Sequence, residues 1–128
     1  MLLPLLLACS GPAEDTAVPL DPTLTNVQAE VFELKCAFSS CHSPEAHAGE
    51  LDLTEGAAHA ELVGVESWAA TGEILVVAGD SASSYLVKKC TAGATFQGSI
   101  MPETEPDGLD AESLDLVKRW IDAGAMDD

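Results

Sequence analysis

Cys36-Ala-Phe-Ser-Ser-Cys41-His42 puts two thiols and an imidazole within seven consecutive residues, four residues separating the cysteines. Thiols can add to the two vinyl groups of a haem, and an imidazole directly after the second can bind the iron from one face. The usual attachment signature is C-x-x-C-H; here the gap is four residues instead of two. The same side chains allow other chemistry. Cys36 and Cys41 can close a disulfide, although that explains neither His42 nor Met101. Tetrahedral zinc could take Cys36, Cys41, His42 and either Cys90 or His47, but adjacent Cys41 and His42 are awkward as two ligands of one small ion. Cys90 is the odd thiol. Two thioethers to haem leave it over, and it is a rival partner for Cys36.

An iron that only passes electrons needs two axial ligands. His42 is the natural first. Met101 is the expected second: it sits in the Gly- and Pro-rich stretch from Gly93 to Gly108, and a thioether raises the potential. Pro102 fixes φ beside it. The sequence has no Ser-His-Asp order, no phosphate-cradling glycine loop and no carboxylate metal pattern. Cys41 and His42 as nucleophile and base would be poorly placed, being sequence neighbours. The chain is therefore expected not to be an enzyme. His47 and His59 read as lone surface histidines.

The elements that must position these groups are helical. From Thr25, Val27, Val31 and Leu34 recur at spacings of four and three. Thr25 or Asn26 can cap that helix, which runs into Cys36. Gly49 to Leu53 alternates and predicts a short extended piece. Gly56 to Val65 is Ala-rich and predicts a helix. Ile74 to Val77 is β-branched and stops at Gly79-Asp80. Ser83 or Ser84 can cap a brief helix carrying Tyr85, Leu86 and Val87 towards Cys90. The last helix is the best marked. Asp110 is its N-cap, Leu109 can staple to Leu114, and Leu114, Val117 and Ile121 form a stripe widened by Leu116 and Trp120. Gly124 fits the C-terminal cap.

The 128 residues allow one domain and a short appendage. Five basic residues against 22 acidic ones give a net charge of −17. Such a balance disfavours nucleic acid and anionic lipid surfaces. It favours a basic partner, with association that weakens as salt rises. Met1 to Ala8 is Leu-rich, too short to span a bilayer, and reads as the end of a signal peptide that lacks a basic start. Leu6-Leu7-Ala8-Cys9 resembles a bacterial lipobox, with Cys9 as the lipidated residue. Residues 9–24, with Pro12, Pro19 and Pro22, read as a flexible tether, and residues 25–128 as the folded domain. Export, to the periplasm or cell surface, places the remaining cysteines outside the reducing cytosol.

The order Val31-Phe32, Cys36, Cys41-His42, Gly49 to Leu53, Val77 to Lys88, Met101-Pro102 and Trp120 to Ala125 resembles the cytochrome-c-like domains of bacterial lipoproteins. The resemblance covers about residues 27–125. It implies an all-α, small helical domain with long loops around a haem crevice, carrying one haem c and passing electrons to a redox protein. It implies that Cys36 and Cys41 form the thioethers, that His42 is the proximal ligand and Met101 the distal one. The helices near 26–35 and 110–123 would cross near their ends and close the crevice. Phe32, Leu53, Trp68, Tyr85 and Trp120 would form its apolar wall. Two other readings stand beside it. One is a haem-free lipoprotein on the same scaffold held by disulfides; the other is a small zinc module.

Overall fold

Val27, Val31 and Phe32 are buried on one side of a helix built from three joined pieces: Leu24–Val27, a wider π turn over Gln28–Phe32, and Glu33–Lys35. This is a computed structural model, and it describes residues 18–128. The signal segment, Cys9 and the tether up to residue 17 lie outside the described residues. The helix starts one residue earlier than predicted. Thr23, not Thr25 or Asn26, is its cap, accepting from the Asn26 N–H at 3.2 Å. Thr25 is otherwise engaged, its hydroxyl donating to the Asp128 carbonyl at 2.8 Å. The π turn adds a residue to one turn and rotates everything after it. That is why neighbours Val31 and Phe32 both face inward while Leu34, expected in the stripe, is 58% exposed.

The last helix, Ala111–Asp122, forms as expected, and Asp110 caps it by accepting from the Ser113 N–H at 2.9 Å. Leu116, Val117, Trp120 and Ile121 are its buried stripe. The indole N–H of Trp120 donates to the Met126 carbonyl at 2.9 Å. Both ends of the first helix are tied to residues that flank the last one. Leu24 and Thr25 donate backbone N–H groups to Asp128, each at 3.0 Å. At the other end, the Lys35 ammonium donates to the Asp110 carboxylate.

Lys35, and then the Ser113 N–H, hold the Asp110 carboxyl well below the usual carboxylate range. A depressed folded value adds stability that is complete above the unfolded value near pH 4 and disappears as pH falls through the folded one. Asp110→Ala should therefore lose about 1 kcal/mol near neutrality, as a lost cap does. Thermal melts from pH 6 to pH 2 should show the variant and the parent converging at the acid end. A constant difference across that range would refute this account.

The middle of the chain is irregular. Ala58–Leu62 is the only helical part of the predicted 56–65 segment. The Ile74–Val77 run forms no strand; it contributes single bridges, Val63 with Val76 and Glu66 with Ile74. Leu51 and Leu53 are buried after a 3-10 turn, Ala48–Glu50. Neither Ser83 nor Ser84 caps the helix Tyr85–Lys89 by its side chain. Asp80 caps the 3-10 turn Ser81–Ser83 instead, and the Ser84 hydroxyl accepts from the Val77 N–H at 2.9 Å while donating to the Asp80 carbonyl at 2.8 Å. Among the described residues the fold is helical with no sheet, in keeping with the all-α expectation. No described helix is long and apolar enough to cross a membrane.

Candidate functional site

The first helix ends at Cys36, and the chain then makes a loop that closes on its own neck. The His42 N–H donates to the Cys36 carbonyl at 3.1 Å, and the Cys41 N–H donates to the Phe38 carbonyl at 2.8 Å. Phe38, Ser39 and Ser40 are exposed, so the residues that lengthen the gap are looped out into solvent. Behind the loop sits Ser43, which sequence reasoning missed. It is buried, with its hydroxyl donating to the Ser39 carbonyl at 3.0 Å and accepting from the Ala46 N–H at 3.1 Å.

The His42 ring is oriented by its own loop. Nδ1 lies 2.8 Å from the Ala48 carbonyl oxygen. A carbonyl only accepts, so Nδ1 is the nitrogen that donates, leaving Nε2 as the ring's other nitrogen. A backbone partner of this kind is how a ligating imidazole is usually fixed. The His42 carbonyl accepts from the Leu53 N–H at 3.0 Å. The Leu53 carbonyl in turn accepts from the buried Gln28 amide at 2.8 Å, and that amide also donates to Glu33 at 2.7 Å. Gln28, on the π turn, thus couples the first helix to the imidazole segment. A polar residue within an amphipathic run gave no sequence signal of that role.

Met101 is held from the other side. Its N–H donates to the Lys89 carbonyl at 2.9 Å. The loop carrying it, residues 91–108, is closed at the base, where the Leu109 N–H donates to the Cys90 carbonyl at 3.0 Å and Thr91 bridges Gly108. Gly108 has φ of +80°, and a Cβ there would lie 2.2 Å from the Cys90 oxygen. Only glycine allows the two strands of the loop to come this close.

Two adjoining cavities, of about 280 and 160 Å³, both have Cys36, His42, Ala48, Met101 and Glu103 in their walls. The larger also reaches Leu53, Tyr85, Lys89 and Cys90; the smaller reaches Cys41, Lys35 and Phe38. Of the five expected wall residues, Leu53 and Tyr85 line a cavity. Phe32 and Trp120 belong to the core beneath. Trp68 is 73% exposed. A turn in which the Ala70 N–H donates to the Ser67 hydroxyl at 3.2 Å leaves Ser67 buried and sends the neighbouring indole outward. A larger groove, about 560 Å³, runs between the two long helices and holds none of Cys36, Cys41, His42 or Met101.

Cys36, Cys41 and Cys90 are not in disulfides in this structure. Burial pushes the Cys36 thiol up to about 12, with Lys35 acting in the opposite sense. Burial also pushes Cys90 up to about 12, and nearby Cys36 adds to it. Neither is a thiolate nucleophile at neutral pH. Two of the five basic side chains, Lys35 and Lys89, line these cavities in a chain of net charge −17. Glu103 lines both cavities beside them, and Lys35 is already paired with Asp110. Among the described residues no group of three or more His, Cys, Asp or Glu side chains is placed to hold a metal ion, so the zinc set is not assembled. His47 is exposed, 3.9 Å from Glu61. His59 lies 2.9 Å from the Ala125 carbonyl. No family model, no curated protein and no solved structure matches this chain.

Proposed function

We propose that this chain carries electrons, one at a time, through a c-type haem held in the crevice between His42 and Met101, on a cytochrome-c-like fold. The observation that carries the reading is that these two residues, far apart in sequence, line the same pair of cavities together with the cysteines. The donor set fits the group: an imidazole held through Nδ1, a thioether, thiols, and largely apolar walls. Haem iron supplies the chemistry, alternating between the ferric and ferrous states.

The protein's share is to hold and exclude. The Ala48 carbonyl keeps the imidazole proton on Nδ1, so Nε2 is the ligating atom. Met101 would supply a thioether ligand, which would favour the reduced metal. Cys41 and Cys36 are the thiols that would hold the group covalently, each through a thioether at a vinyl carbon. Leu53 and Tyr85 would keep water from the crevice, and Lys89, in the wall of the larger cavity, would be the cation available to a carboxylate of the group.

The reading includes export to the periplasm or cell surface and a lipid anchor at Cys9. It also includes a redox protein partner with a basic face, whose association should weaken as salt rises. Co-expression with a haem-maturation system should give a red protein whose haem resists acid-acetone extraction. A colourless product would sink the proposal. The second reading, a haem-free exported protein stabilised by a disulfide, draws on Cys36 and Cys90 lining the same cavity. Intact mass separates the two, because covalent haem adds its own mass and a disulfide removes two hydrogens.

A further inference from the structure

Three thiols surround a crevice whose proposed occupant has two vinyl groups, and the structure divides them unequally. Cys41 lines only the smaller cavity, beside the exposed loop. Cys90 lines only the larger one and is 4% exposed. Cys36 lines both and packs against the same core cluster that contains Cys90. The neck bond from the His42 N–H to the Cys36 carbonyl is made by backbone atoms and does not involve the Cys36 sulfur.

We propose that Cys36 and Cys90 are joined by a disulfide in the mature protein, leaving Cys41 as the single covalent attachment of the haem. The proposal rests on the haem reading of the crevice and on export, which supplies an oxidising compartment. The oxidant is the disulfide form of a thiol oxidoreductase. One thiolate attacks it to give a mixed disulfide, and the second displaces it. Two electrons leave with the oxidoreductase, which departs as a dithiol carrying both protons. Burial of Cys90 in the closed fold places this exchange before the 91–108 loop shuts. The bond would then tie the end of the first helix to the base of the Met101 loop, linking the two halves of the crevice.

The test uses the full chain, exported and haem-loaded, purified without reductant. Thiols are alkylated under denaturing acid conditions and the protein is digested with chymotrypsin. Cleavage after Phe38 separates Cys36 from Cys41. The expected result is a Cys36 peptide cross-linked to a Cys90 peptide, released by reductant, with haem on the Cys41 peptide. The pyridine haemochrome band should be that of a haem with one saturated vinyl. Cys36→Ala combined with Cys90→Ala should keep covalent haem and the same band, whereas Cys41→Ala should lose all covalent haem. Haem on both Cys36 and Cys41, with Cys90 alkylated, would overturn the proposal and uphold the haem reading. A Cys36–Cys90 cross-link on a chain that takes no haem would overturn the haem reading and single attachment together, leaving only the cross-link.

Discussion

Gly108→Ala should destabilise the fold by about 3 kcal/mol, since it adds both a core clash and a disfavoured backbone. The new methyl carbon would sit 2.2 Å from the Cys90 oxygen and 3.0 Å from the Ile100 side chain, at φ of +80°. The oxygen is backbone, fixed by its bond from the Leu109 N–H, and cannot swing away. In thermal melts followed by circular dichroism the midpoint should fall by roughly 10–20 °C. Gly93→Ala is the control. Gly93 has the same φ of +80° with nothing near its missing side chain. It should lose only about 1 kcal/mol. Equal losses at the two positions would show that close approach to Cys90 does not matter. The damage at Gly108 should extend to the crevice, because the loop that presents Met101 is closed at this point.

Met101→Ala should leave the fold standing, because Met101 is only partly buried. It should remove the methionine–iron charge-transfer band from the oxidised spectrum. It should also lower the midpoint potential by roughly 0.1 V or more, a modest part of the ~0.8 V that axial ligation spans. Potentiometric titration of the haem-loaded protein checks the second part. An unchanged spectrum would reject Met101 as the ligand and leave the distal position to another group.

How far the sequence revealed this depends on the scale of each signal. Asp110, Leu109 and the Leu116–Ile121 stripe were legible because cap and periodicity are local and agree. The cysteine-histidine run and Met101 stand out by residue type, and the fold brings Cys36, His42 and Met101 to two shared cavities. The π turn was not, since an extra residue in one turn leaves the composition unchanged and moves only the faces. Leu34 was misplaced for that reason. The resemblance places Trp68 in the apolar wall, but a Ser67 turn sends it out. The Ala48 carbonyl that orients His42 belongs to the backbone and has no side-chain signature. Gln28 and Gly108 act through partners distant in sequence, Leu53 and Cys90, which only the folded chain identifies.

The loop between Cys36 and His42 is pinned at its neck and open at its tip. Closing a slightly longer loop costs little, since the entropy of closure rises only with the logarithm of length. The number of residues between the two cysteines is therefore a poor ruler of the space between their backbones. Residues added at the Ser39–Ser40 tip would swell the bulge while the neck stayed where it is. A pattern that insists on a fixed gap would pass over chains of this kind; one anchored on the second cysteine, its histidine and the later Met-Pro would find them.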